Sequence, residues 1–430
     1  MASLLTIARP GQPLLADEIP TNMADYNDLA DYEWLTSDAT AALAAELATD
    51  AAPLHTAVGR LRDRLSSART HLLLELVESR RRATAKFTVA DHMFFTPLAL
   101  EQATDEWVAA YKVSRFEETS SPSTSASTFA DLCCGIGGDL LALTRLGPVV
   151  GVDSNPVMTH LAAANVVATL PAQVAAQVSL NVCDVASFDL SDFAAWHIDP
   201  DRRPTGRRTT SLEFSSPNLA TLERMLAAAP NAAIKLAPAA DVPAEWTDRC
   251  ELEWISRDRE CRQLVAWHGT LAGAPGLRRA TILPNAARNL APRTLVGKPN
   301  ERLLIAPQVD RFVFDPDPAV MAARLKGTLA AEHGLSAIAS GPSYLTGPQP
   351  IVDTALACFE VQDVLPLRTR AIADYSRERH IGRLEIKTRG VEIDPQRLRR
   401  ESKLLGDESA TLLLTAIGRR QVAIIAQRIR

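Results

Sequence analysis

The spacing of apolar positions changes twice along the chain. In the first ninety or so residues, leucine and alanine recur at helical intervals. Ala41 to Leu47 forms one such run, and LRDRLSSARTHLLLELVESRRR places Leu61, Leu65, Leu72 and Leu76 at roughly helical spacing. Pro53 is expected to separate two of these helices. A further helix is predicted from about Pro97 to Phe116, where Leu100, Trp107 and Tyr111 share a face. TSSPSTSAST, residues 119–128, has no core-forming side chain and predicts a flexible linker.

From Phe129 short apolar runs alternate with helical ones. FADLCC, PVVGVD, VSLNVCD, AAWHIDP and AAIKLAP read as strands; GGDLLALTRL, the alanine-rich run from Pro156 and ATLERMLAAA read as helices. Alternation of this length predicts an α/β fold with a mostly parallel sheet covered on both faces. CELEWIS and RQLVAWHG add two or three antiparallel strands, and residues 272–303, richer in Pro, Arg and Asn, read as a crossover. The last third mixes strands (RFVFD, GRLEIKTRG) with helices (DPAVMAARLKGTLAAEHG, RTRAIADYSRERH, DPQRLRRESKLLG) and ends in a hairpin around Gly418. Asp317 and Pro318 open the first of those helices and Gly334 closes it. The predicted division is a helical region over 1–118, an α/β domain over 129–305 and an α+β module over 310–430.

A length of 430 residues favours two or three domains, and 47% hydrophobic with 23% charged residues is ordinary globular composition. No run approaches eighteen uninterrupted apolar residues, which excludes a spanning helix, and the N-terminal stretch lacks the basic and apolar blocks of a secretory signal. Six cysteines without a CxxC pair argue against a zinc ribbon or disulfide framework and fit reduced thiols, so a soluble, cytoplasmic protein is expected. Net charge is −5, unevenly spread: residues 1–50 hold nine acidic side chains against Arg9, whereas thirteen Lys/Arg face seven Asp/Glu from Arg377 onward. Such an acidic head and basic tail either steer a polyanion or are solvated helix faces of opposite sign.

Candidate chemistry concentrates in DLCCGIGGD, Asp131 to Asp139, between a predicted strand and helix. Gly135, Gly137 and Gly138 allow a sharp turn and close approach to a ligand. The third glycine of the dinucleotide fingerprint is missing, and Asp139 would repel a pyrophosphate at the helix N-terminus, so an adenosyl ligand without one suits the loop better. Asp153 ends the second strand, where a carboxylate can accept from both ribose hydroxyls, and Asp184 ends the third, where it can accept from an adenine amine. Alternatively, Asp153 and Asp184 merely cap the loops that follow. Cys133 and Cys134 suit small side chains behind a cofactor better than nucleophiles. No HxxxH pair suggests a metal, and His197 reads as a strand residue.

DLCCGIGGD, GVD and NVCD resemble motifs I, II and III of class I S-adenosylmethionine-dependent methyltransferases. The wider chain resembles their bacterial subfamily with a C-terminal THUMP-like module, through KFTVADHMFFTPLALEQAT, AAYKVSRF, HIDPDRR, IKLAP, GRLEIKTRG and GDESATLLLT. The resemblance implies a Rossmann-like methyltransferase sheet with S-adenosylmethionine as cofactor. It implies Gly135 and Gly137 at the methionine moiety, Asp153 at the ribose and Asp184 at the adenine, with Asp131, Cys133 and Ser154 completing the cofactor set.

On the acceptor side, HIDPDRR ends the fourth strand. Asp199 and Pro200 match the motif of amine methyltransferases and are the candidate catalytic pair; Asp201 replaces its second proline and Arg202 its aromatic residue. Arg202 and Arg203, with Arg207 and Arg208, form either a clamp for a phosphate backbone or a surface loop neutralising nearby carboxylates. MFFT, from Met93 to Thr96, either closes over the cofactor or forms a hydrophobic staple. The expected function is methylation of RNA, at a tRNA or rRNA base. A protein or small-molecule methyltransferase, and a non-catalytic protein retaining the pocket, are the alternatives.

Overall fold

The computed structural model describes residues 24–49, 54–117, 128–202, 209–284 and 291–429. The expected linker lies almost wholly outside them, as do Pro53, Arg203, Arg207 and Arg208. The chain divides into two compact units, one of Met1–Cys250 with Val265–Gly273, the other of Glu251–Leu264 with Ala274–Arg430.

The first unit opens with α1 (Ala24–Leu35), α2 (Asp38–Thr49), α3 (Leu54–Arg62), α4 (Ser67–Ala83), α5 (Pro97–Gln102) and α6 (Glu106–Glu117). The run containing Leu61 to Leu76 spans two helices, and the Ser66 side chain caps α4 by accepting from the Arg69 amide. The Pro97–Phe116 run is likewise broken. Thr96 caps α5, and α6 starts afresh, with Asp105 accepting from the Val108 amide.

There follow β1 (Thr128–Leu132), α7 (Gly138–Leu143), β2 (Val149–Asp153), α8 (Pro156–Thr169), α9 (Ala172–Ala175), β3 (Val178–Val182), β4 (Phe193–Ile198), α10 (Leu219–Ala228), β5 (Ala232–Leu236) and α11 (Trp246–Arg249). After β6 (Glu251–Arg257), the chain returns along β7 (Glu260–Trp267). The first unit's strands lie in the order β3-β2-β1-β4-β5, followed by the Val265–Trp267 end of β7. The pairs β2–β3, β1–β2, β1–β4 and β4–β5 are all parallel. Ala232 and His268 exchange both backbone hydrogen bonds, the signature of an antiparallel closing strand.

The N-terminal helices share the core of this sheet. Leu73, Leu76, Phe87, Met93, Phe95 and Leu100 pack in one buried cluster with Ile136 of the glycine loop and Val157 and Leu161 of α8. Phe95 and Met93 of MFFT are therefore core residues. Fully buried Asn165 fixes this segment to the glycine loop: it accepts from the Phe94 amide (2.7 Å) and donates to the carbonyls of Phe94 (3.1 Å) and Ile136 (2.9 Å).

In the second unit, Asp258 and Arg259 both have positive φ (54° and 60°), which makes a tight two-residue hairpin turn after β6. The expected crossover over 272–303 contains β8 (Arg278–Leu283) and β9 (Arg293–Gly297). β8 runs parallel to β6 and antiparallel to β9. Four buried residues, Ala280 to Leu283, make β8 a strand despite its basic start.

The remainder comprises β10 (Phe312–Pro316), α12 (Pro318–Ala322), α13 (Lys326–His333), β11 (Ser336–Ala337), β12 (Leu345–Gly347), β13 (Leu356–Pro366), α14 (Thr369–Glu378), β14 (Ile381–Thr388), α15 (Pro395–Glu401), β15 (Glu408–Ile417) and β16 (Arg420–Arg428). Its seven-stranded sheet has the order β11-β12-β10-β13-β16-β15-β14. The single helix expected from Asp317 to Gly334 is two, broken where Arg324 takes a left-handed φ of 60°. The terminal hairpin pairs β15 with β16 around Gly418, which itself has φ 59°.

Candidate functional site

The carboxyl ends of β1, β2 and β4 meet at one edge of the first unit's sheet. Between β1 and α7 the backbone turns through three left-handed residues, Cys133 (φ 53°), Gly135 (54°) and Gly137 (89°). Cys133 has a Cβ and pays for that conformation with about 1–3 kcal/mol of strain, here concentrated at the entry of the loop. Gly137 precedes α7, and Gly138, its first residue, lies so close to the Thr104 carbonyl that a Cβ would stand 3.0 Å from it. A Cβ at Gly135 would meet nothing within 4 Å, so the loop faces open space there.

Asp153 binds the loop through its own carboxylate. Oδ2 accepts from the Gly135 amide and Oδ1 from the Asn155 amide, each at 2.9 Å. Burial nevertheless pushes this carboxyl up, and the Asp201 charge adds to the shift. The Cys133 thiol is pushed well up by burial and by the charges of Asp153, Asp199, Asp131 and Asp201, which makes it a poor nucleophile. The edge thus gathers Cys133, Asp153, Asp199 and Asp201. Ser154 is exposed beside Asp153. Asp184 is exposed and caps a short turn after β3, accepting from the Ala186 amide at 2.9 Å.

Asp131 is turned inward. It is 1% exposed, and its Oδ1 accepts from His197 Nδ1 at 2.7 Å, while its Oδ2 is buried without a hydrogen-bond partner among the described residues. His197 Nε2 accepts in turn from Lys112 Nζ at 2.9 Å, and Lys112 also pairs with Asp139 Oδ1 at 2.6 Å. Thr104 donates to Asp139 Oδ2 at 2.6 Å. Asp139 is therefore not presented to a ligand at the helix N-terminus as expected: a buried lysine from α6 neutralises it. Burial alone would raise the Asp139 carboxyl, but Lys112, His197 and Lys235 outweigh it and hold it well below the usual range. Burial raises Asp131, against the opposing hydrogen bond from His197.

Asp199 follows β4, and its Oδ2 accepts from Lys235 Nζ of β5 at 2.5 Å. Pro200 is buried, Asp201 is exposed, and Asp201 and Ser216 exchange backbone hydrogen bonds at 2.8 and 2.9 Å. The Arg202 carbonyl accepts from the Thr209 amide. Lys112, Lys235 and His197 had no assigned role in the sequence. Their signal is a lysine on the buried stripe of α6, with Val108, Ala109 and Val113, and another inside the wholly buried strand AAIKL.

In open α/β sheets, ligands bind outside the carboxyl ends of the strands, where this loop and the Asp153 carboxylate lie. Three carboxylates at the edge suit a cationic ligand bearing a diol and disfavour a pyrophosphate. The donor set therefore fits S-adenosylmethionine, whose sulfonium is positive. The chain is 30% identical over 357 residues, 80% of its length, to an uncharacterized S-adenosylmethionine-dependent methyltransferase of Mycobacterium tuberculosis, in strains CDC 1551 and H37Rv alike, and the match spans 92% of that protein. The chain belongs to the S-adenosylmethionine-dependent methyltransferases. Residues 356–428 match the THUMP domain-like family. The crystal structure of a Porphyromonas gingivalis W83 methyltransferase shares the fold, with a TM-score of 0.67 at 16% identity over 94% of this chain and 99% of that one. Among the described residues no helix is long and apolar enough to cross a membrane, and no group of His, Cys, Asp and Glu could hold a metal.

Proposed function

We propose that this methyltransferase acts on a base in RNA. The observation that carries the substrate class is the THUMP domain-like match over 356–428, a stretch in which Arg397, Arg399 and Arg400 lie exposed on α15. Beside the acceptor motif, Phe214 is 67% exposed, in a turn tied to Asp201 through Ser216, and an aromatic face there suits a planar base.

Gly135, Gly137 and Asp153 hold the cofactor, with Cys133 and Ser154 beside them and Asp184 towards the adenine. When bound, S-adenosylmethionine supplies an electrophilic methyl group for in-line displacement. The remaining work is positioning. Asp199 accepts a hydrogen bond from the acceptor group and takes up its proton where the group loses one on methylation, Pro200 fixes φ just after it, and Arg202 and Arg203 grip the substrate.

The test is methyl transfer from labelled S-adenosylmethionine to total cellular RNA, to the same extract after RNase, and to protein. Label in RNA that RNase abolishes is expected; label only in protein or small molecules would redirect the assignment. Replacing Arg397 and Arg400 is expected to flatten the salt dependence of RNA binding, by about 0.7–0.9 in log–log slope for each phosphate no longer neutralised.

A further inference from the structure

Lys235 sits in a strand whose five residues are all buried. Lysine is seldom placed so without partners, because an unpaired ammonium is costly away from water. Its partners here, among the described residues, are Asp199 Oδ2 at 2.5 Å and the carbonyl of Gln102, at the end of α5, at 3.2 Å. The nearby Asp139 is already engaged by Lys112 at 2.6 Å, so Asp199 is the anion left for Lys235. The pair is asymmetric: the Lys235 side chain is 8% exposed and that of Asp199 26%.

We propose that Lys235 is a positioning residue for Asp199, anchored by the N-terminal helical region through Gln102; this rests on the acceptor role given to Asp199 above. A charge-assisted bond of this length fixes one carboxylate oxygen and leaves the other for an acceptor hydrogen. Without the ammonium, the carboxylate turns freely about its last torsion and the acceptor loses its aim. The Gln102 carbonyl fixes the other end of the lysine, so α5 helps to build the acceptor side although it lies outside the sheet. The motif IKLAP then has a purpose beyond filling a strand.

Lys235→Ala is expected to lower kcat on total RNA by about 10²-fold, the cost of misplacing a reacting group, while calorimetric affinity for S-adenosylmethionine stays unchanged. Added propylammonium, which restores the missing ammonium, is expected to recover turnover, and propanol of similar size is not. Equal rescue by both would reduce Lys235 to a space filler and overturn the proposal, as would an unaltered kcat. A second measurement needs no substrate. Asp199→Ala strands a buried ammonium, whereas Lys235→Met strands a carboxylate that is open to water. Asp199→Ala is therefore expected to lower Tm more than Lys235→Met, with the double variant more stable than the two losses summed. Additive losses would refute the pairing. If total RNA accepts no methyl group from the wild type, the RNA assignment fails, and the Tm cycle still decides whether Lys235 holds Asp199.

Discussion

The two sides of the sheet edge are built by different means. On the side we assign to the cofactor, Asp153 is held by amides of Gly135 and Asn155, eighteen and two residues away, and the loop's shape comes from its own left-handed residues. On the side we assign to the acceptor, Asp199 accepts from Lys235, which also donates to the Gln102 carbonyl, and Lys112 joins α6 to His197, eighty-five residues on. Backbone supports one side, and side-chain charges from distant segments support the other. Changes to the cofactor side should therefore alter affinity, whereas changes to the acceptor side should alter rate or unfold the charge network.

The largest expected effect is at Asp199. Replacement by alanine should lower turnover by about 10²–10⁴ with cofactor binding intact, and single-turnover transfer to RNA measures it. Asp199→Asn keeps an acceptor oxygen but cannot take a proton, so substantial activity there assigns orientation rather than base catalysis. Next comes Lys112→Met, which leaves Asp139 buried without its cation and is expected to cost about 3–5 kcal/mol in urea unfolding. A loss near zero would mean that the network does not support the acceptor side.

His268 provides a probe away from both sides. Burial and the Arg249 charge pull its pKa down to about 4, and its Nε2 has no hydrogen-bond partner among the described residues. Below its ordinary value of 6.5 the unfolded chain takes up a proton that the native state refuses, so stability falls as pH drops from 6.5 and levels off near 4. The loss is on the order of 3 kcal/mol, and His268→Gln should abolish that portion of the pH dependence of unfolding. The smallest effect belongs to Asp153→Ala. Loss of a charged acceptor is worth about 1.5–3 kcal/mol, so calorimetry should find roughly ten- to hundredfold weaker S-adenosylmethionine binding, with a lower Tm because the Gly135 and Asn155 amides lose their acceptor.

The same contrast governs what is legible in the sequence. DLCCGIGGD and GVD announce a turn and a strand-end carboxylate because their meaning is local. The strands around them were predictable from short apolar runs, and so was the closing hairpin around Gly418. The inward turn of Asp131 and the neutralisation of Asp139 were hidden, since both depend on Lys112, which reaches them only through tertiary packing. AAYKVSRF and IKLAP showed their lysines at buried positions, but nothing in the sequence paired either with a carboxylate. The helix breaks at Ser66 and Arg324 are hidden in the sequence for a related reason: a cap or one left-handed residue interrupts a helix without disturbing its apolar spacing.

The division of the chain has a consequence for its biosynthesis. The first unit is interrupted after Cys250 and resumes at Val265, where the chain leads to the pairing of His268 with Ala232. A ribosome adds about 5–20 residues per second, so β5 waits on the order of a second or more before its closing partner exists. A hairpin turn such as Asp258–Arg259 closes in about 1–10 μs, far faster than the interval. Synthesis, not folding, sets how long that edge stands unpaired, and during the wait it is a template on which a neighbouring nascent chain can mispair. Slow codons across the segment encoding Glu251–Leu264 would lengthen the exposure and lower the yield of folded enzyme.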